Sequence, residues 1–157
     1  MSAASDILDR YRALGLHIAA AESCTGGMVM AALTDVPGSS DVVDRGFVTY
    51  TNAAKVQMLG VSQATLDAHG AVSEQVAREM AEGALARSES NVAVAVTGIA
   101  GPGGSDFKPE GRVCFGIAVK GRATATETVE FGPLGRAEVR ARSVQKSLKL
   151  LLNAADN

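Results

Sequence analysis

Val92-Ala93-Val94-Ala95-Val96-Thr97-Gly98-Ile99-Ala100-Gly101-Pro102-Gly103-Gly104 is the stretch that decides the architecture. A strand with one wet face alternates apolar and polar residues. An unbroken apolar run over 92–96 instead marks a strand buried on both faces, with helices above and below it. The glycines that follow mark the point where the chain leaves the sheet.

Residues 74–88 precede that strand with Val76, Met80, Ala84 and Leu85 on one helical face, capped by Ser73. Ser62 caps a shorter helix before it. Residues 53–59 read as a third helix, with Thr51 and Asn52 as N-cap candidates and Gly60 as its stop. Residues 46–51, β-branched and aromatic, read as a strand after the turn cluster Pro37-Gly38-Ser39-Ser40. At the start, Ile7, Leu8, Tyr11 and Leu14 form the stripe of an amphipathic helix over 3–14, ended by Gly15. A short strand over 17–21 then runs into Glu22-Ser23-Cys24-Thr25-Gly26-Gly27 and a helix from Met28. Downstream, 112–119 and 124–131 read as an antiparallel hairpin about Lys120-Gly121-Arg122, and 136–152 as a closing helix. The expected fold is α/β: a three-layer α/β/α single domain over residues 1–157, with a mixed, mostly parallel sheet.

Composition narrows the function. A 46% apolar, 20% charged chain is globular, and a formal charge of −2 without basic runs argues against nucleic acid as a partner. The longest uncharged apolar stretch, 92–100, is far short of the ~20 residues of a membrane helix, so no membrane partner is expected. The first fifteen residues lack a signal-peptide core, which points to the cytoplasm. Cys24 and Cys114 lie far apart and read as reduced thiols, and no ligand spacing for a metal is present.

Ligands of open α/β sheets bind beyond the carboxyl ends of the strands, which singles out 22–27, 50–55 and 97–104. The first joins a hydroxyl and two glycines to a helix start, whose free N–H groups are an expected anion or oxyanion site. The P-loop, the G-x-G-x-x-G fingerprint and the G-x-S-x-G elbow are all absent, which argues against kinase, dehydrogenase and α/β-hydrolase chemistry. Were Ser23 a nucleophile, on what is expected to be an exposed turn, it would need a base. His17 lies at the wrong end of the strand, and His69 before Gly70 reads as a helix end. Lys55 lies in the first turn of a helix, where the dipole disfavours its charge, although an exposed helix lysine is the commoner outcome for such a residue. Arg136 and Arg140 share a helix face and could clamp a phosphate or simply be solvated.

Ala21-Glu22-Ser23-Cys24-Thr25-Gly26-Gly27, Gly46-Phe47-Val48-Thr49-Tyr50-Thr51-Asn52-x-x-Lys55, His69-Gly70-Ala71-Val72-Ser73 and Thr97-Gly98-Ile99-Ala100-Gly101-Pro102-Gly103-Gly104 together resemble the CinA C-terminal domain family, in order and over nearly the whole chain. The resemblance implies an anticodon-binding-domain-like sheet and an amidohydrolase that converts nicotinamide mononucleotide to nicotinate mononucleotide in pyridine nucleotide recycling. Ser23 would be the nucleophile and Lys55 its base, with Tyr50 and Thr97 completing the catalytic set. Thr25, Gly26, Gly27, Asn52, Gly98 and Arg140 would bind substrate, with Arg140 helping to lower the Lys55 pKa. No cofactor is implied, and a homodimer or larger homo-oligomer is expected. Gly135 departs from the family's closing Gly-Asp-Arg-x-x-Val-Arg pattern, which leaves the alignment of Arg136 open. The pyrophosphatase-like domain of two-domain members, and its activity, are expected to be missing. The alternative is a regulatory module that binds a pyridine nucleotide without catalysis.

Overall fold

The computed structural model describes residues 2–105 and 107–156. Its elements are α1 (Ala3–Leu14), β1 (Ile18–Glu22), α2 (Met28–Thr34), a 3-10 turn (Ser39–Asp41), β2 (Val43–Val48), α3 (Asn52–Leu59), α4 (Gln63–His69), α5 (Glu74–Ala86), β3 (Val92–Gly98), β4 (Arg112–Val119), β5 (Ala125–Glu130) and α6 (Arg136–Ala154).

Among the described residues the sheet has the order β2-β1-β3-β4-β5. β1 pairs in parallel with both β2 and β3, whereas β4 runs antiparallel to β3 and to β5. Four strands therefore share a direction and β4 alone opposes them, which makes the sheet mixed and mostly parallel. The chain moves from β1 outward to β2 and then returns to place β3 on the other side of β1. That reversal opens a crevice beyond the carboxyl ends of β1 and β3, where open α/β sheets receive ligands.

The alternation of side chains along β1 and β3 sets the two helical layers. Ile18 and Ala20 of β1, with Val92, Val94 and Val96 of β3, join Phe115 in one core with α1, α2 and α6. Ala19, Ala21, Ala93 and Ala95 face the opposite way, into a core with Leu59, Val76, Met80, Ala81 and Ala84. A face paved with alanine lets α5 settle close to the sheet. At Gly116 of β4, an added Cβ would come within 2.6 Å of the Ala77 carbonyl oxygen. Tyr11, fully buried, donates its hydroxyl to the Leu151 carbonyl at 2.7 Å and ties α1 to α6. Among the described residues no helix is long and apolar enough to cross a membrane.

β2 differs from the expectation of a strand over 46–51. It begins at Val43 and ends at Val48, leaving Thr49, Tyr50 and Thr51 as the approach to α3. Asp44 and Arg45 fall outside the expected strand, but β2 lies at the sheet's edge and is solvated enough to accept them.

Candidate active site

The turn after β1 is built around a buried carboxylate. Glu22, 1% exposed at the end of β1, turns its side chain into the start of α2. Oε1 accepts from the Thr25 hydroxyl at 2.6 Å, the Gly27 N–H at 3.1 Å and the Val29 N–H at 3.0 Å, and Oε2 accepts from the Met30 N–H at 3.1 Å. The helix start expected to receive a ligand's charge is thus occupied by the chain's own anion, which suits both the free N–H groups and the dipole. Gly27 sits at φ 107°, a conformation that admits glycine and few other residues.

Ser23 follows Glu22 directly. Its N–H donates to the Val96 carbonyl of β3 at 3.0 Å, which pins the residue between the two parallel strands. Ser23 is 7% exposed rather than on an open turn, because the same bond draws it against the sheet.

Lys55 reaches Ser23 from α3. Thr51 caps that helix by accepting the Ala54 N–H at 3.0 Å, and Lys55, one turn in, is 1% exposed. Its Nζ lies 2.9 Å from Ser23 Oγ, 3.0 Å from the Thr49 carbonyl oxygen and 3.2 Å from the Tyr50 carbonyl oxygen. Among the described residues no carboxylate pairs with it. Burial lowers its pKa to about 8, against a smaller opposing contribution from the Cys24 thiol. Arg140, expected to help in this, instead donates to the Cys24 carbonyl at 3.0 Å and the Thr25 carbonyl at 3.4 Å, bracing the turn from behind. Burial also pushes the Cys24 thiol up to about 11, which keeps it protonated beside the pair.

Ser23 and Lys55 line a cavity of about 400 Å³, together with Tyr50, Asn52, Thr97 and Gly98. The volume suits a small molecule. Thr97, almost fully buried, donates its hydroxyl to the Ala71 carbonyl at 3.0 Å and fixes the chain between α4 and α5 as one wall. Gly98 passes so close to β4 that a Cβ there would lie 2.6 Å from Val113 Cγ2 and 3.0 Å from the Arg112 carbonyl oxygen. The other wall is the loop over residues 99–105, held by Lys108, which donates to the His69 and Val72 carbonyls. At the mouth, the exposed Arg136 donates to the Tyr50 hydroxyl and the Gly101 carbonyl, both at 2.8 Å.

The structure thus gathers Ser23, Lys55, Tyr50, Asn52, Thr97 and Gly98 at one cavity, whereas Thr25, Gly26, Gly27 and Arg140 stand behind the nucleophile turn and outside the lining. Their hydrogen-bonding groups face Glu22 and the turn's carbonyls. Arg136 takes the place at the mouth that the sequence left open. His69 contributes its carbonyl to Lys108 and is absent from the cavity lining, and the backbone N–H of His17 bonds Asn91 at the opposite end of β1. Glu22 was missed as a functional residue. The signal was a single carboxylate closing an otherwise apolar strand just before a glycine turn and a helix. Among the described residues no group of three or more His, Cys, Asp or Glu is arranged to hold a metal ion.

A buried serine and lysine line a cavity at the strand reversal of a three-layer α/β domain, a candidate small-molecule site. Comparison with known proteins narrows this further. The CinA C-terminal domain family profile matches residues 1–155. The chain is 51% identical over 142 residues to the nicotinamide-nucleotide amidohydrolase PncC of Enterobacter agglomerans, covering 90% of this chain and 86% of that protein. It is 62% identical over 109 residues to a putative competence-damage inducible protein of Symbiobacterium thermophilum, covering 69% of this chain but 26% of that one. The chain spans about a quarter to a third of the length of such longer CinA-like relatives. The crystal structure of the competence/damage inducible protein CihA of Agrobacterium tumefaciens superposes with a TM-score of 0.94 at 49% identity, covering 99% of this chain and 94% of that one. The chain belongs to the CinA C-terminal domain family.

Proposed function

We propose that this chain is an amidohydrolase that converts nicotinamide mononucleotide and water to nicotinate mononucleotide and ammonia, as a step of pyridine nucleotide recycling. The observation that carries this reading is the 2.9 Å approach of Lys55 Nζ to Ser23 Oγ at the cavity lining, where both side chains are almost fully buried. The amidohydrolase of similar length from Enterobacter agglomerans supports the substrate class.

Two carbonyls make the lysine a base. A neutral amine has two hydrogens and one lone pair. The Thr49 and Tyr50 carbonyls take the hydrogens, which leaves the lone pair facing the Ser23 hydroxyl. Ser23 Oγ then attacks the carboxamide carbon as its proton passes to Nζ. Lys55 returns that proton to the departing nitrogen, the C–N bond breaks, and ammonia leaves an ester on Ser23. A water gives its proton to Nζ and attacks the ester. Ser23 recovers the proton as the C–O bond breaks, and the product is released as a carboxylate.

Arg136, at the mouth and bonded to the Tyr50 hydroxyl, supplies a fork of donors for the nucleotide phosphate, and Asn52, Thr97 and Gly98 flank the pyridine ring. Mixing the purified chain with nicotinamide mononucleotide and assaying both products tests the reading. Equimolar ammonia and nicotinate mononucleotide are expected. Saturable binding without ammonia release would favour the regulatory module instead.

A further inference from the structure

We infer that Glu22 is a positioning residue for the Ser23 nucleophile. The inference rests on the amidohydrolase reading only for its kinetic test. Glu22 is adjacent to Ser23, 1% exposed, and is linked to Lys55 through Thr49. Through its carboxylate it gathers the Thr25 hydroxyl and the N–H groups of Gly27, Val29 and Met30, so the turn that carries Ser23 is wound around one anion. Through its carbonyl it accepts the Thr49 N–H at 2.8 Å and the Thr49 hydroxyl at 3.3 Å. The Thr49 carbonyl in turn accepts from Lys55 Nζ at 3.0 Å. One residue thereby sets the nucleophile turn on one side and an orienting carbonyl of the base on the other.

Both carboxylate oxygens are used, Oε1 by three donors and Oε2 by one. A buried carboxylate with four donors and a helix dipole behind it is strongly held, and it fixes the turn more tightly than a neutral cap could. Glutamine in its place keeps the shape and one acceptor oxygen. Its amide nitrogen, however, meets the Met30 N–H donor to donor, so the turn must loosen. A displacement of Ser23 Oγ from the Lys55 lone pair costs catalysis while leaving the cavity that binds substrate in place.

The test compares wild type with E22Q and T25V. The latter is an isosteric change that removes only the 2.6 Å hydroxyl bond to Glu22. Two readouts separate this inference from the functional reading: kcat and KM for ammonia release, and the rate at which a fluorophosphonate labels Ser23, measured by intact mass. The labelling needs no knowledge of the substrate. E22Q is expected to lower kcat roughly 10- to 100-fold with KM within about twofold, the size expected for a mispositioned reacting group, and to slow labelling in parallel. T25V should show the same pattern at a few-fold. S2A, which removes a side-chain cap from α1 away from the cavity, controls for plain destabilisation and should match wild type in both readouts. Folded E22Q labelled at the wild-type rate would overturn the inference. If E22Q does not fold, T25V decides alone, and labelling at the wild-type rate would overturn it equally. Absence of ammonia release from wild type, with labelling slowed in the variants, would count against the functional reading and for this one.

Discussion

Two glycine-containing loops leave neighbouring parallel strands, and in sequence they look alike: an apolar strand, a hydroxyl residue, then glycines. The structure builds them to opposite ends. The loop after β1, residues 23–27, is short, buried at Ser23, Cys24 and Thr25, and wound on the Glu22 carboxylate. The chain after β3, which runs from residue 99 to β4 at Arg112, is longer and exposes Pro102, Gly103, Gly104, Ser105, Phe107 and Pro109, and is held at a few points by Lys108, Arg136 and the Ile99–Gly111 backbone bond. The difference teaches that a tight turn fixes reacting atoms, whereas a long tethered loop shapes the space around them. Changes in the first loop should therefore act on kcat, and changes around the second on KM.

The largest effect is expected from S23A. With the nucleophile gone, ammonia release should fall at least ~10³-fold, as for other covalent enzymes that lose theirs. The melting temperature should stay close to wild type, since one hydroxyl leaves little cavity. K55R should be nearly as damaging although it keeps the charge, because a guanidinium cannot take the serine proton.

Lys55 also carries a stability cost that the pH can expose. Its pKa is about 8 in the fold against 10.5 for an unperturbed lysine side chain, so the unfolded chain binds the extra proton across that window and stability rises with pH through it. Relative to K55M, wild type should gain about 3 kcal/mol between pH 7 and pH 10.5, the equivalent of the shift. Denaturant unfolding of both proteins at the two pH values checks this, and a pH-independent difference would contradict it.

Around the second loop, R136A should raise KM roughly 10-fold with kcat within about twofold, the size of one lost charge-assisted contact. If kcat fell and KM did not, Arg136 would belong with the reacting atoms and the contrast between the loops would fail. The smallest effect is expected from chelation, since among the described residues no group of three or more His, Cys, Asp or Glu is arranged to hold a metal ion. EDTA should leave the rate unchanged, and activity lost and then restored by a divalent ion would contradict that.

Much of this was legible in the sequence where the cause is local. Thr51, Ser73, Gly15 and Gly60 end or start their helices as their side chains and backbone freedom predict. The apolar run at 92–96 gave the two-sided burial of β3, since only a central strand tolerates it. Lys55 lies 2.9 Å from Ser23, whereas strand length separates His17 from the carboxyl edge, a separation that the sequence already carries. The rest depends on contacts between distant parts of the chain. Arg136 meets Tyr50 across 86 residues, which no spacing could reveal. The bounds of β2 slipped because edge strands accept Asp44 and Arg45, while Thr49 and Tyr50, strand-like by type, turn away to present their carbonyls to Lys55. Glu22 was hidden for another reason. Its position was visible, but its inward turn onto α2 follows from the helix start lying directly behind it.

The ionisation of Lys55 can be followed directly by NMR of the protein labelled at the lysine Cε position, with K55M assigning the resonance. The buried pair predicts that the Lys55 resonance titrates near pH 8. A Lys55 resonance that titrates at the 10.5 of an unperturbed lysine side chain would contradict the assignment of this residue as the base.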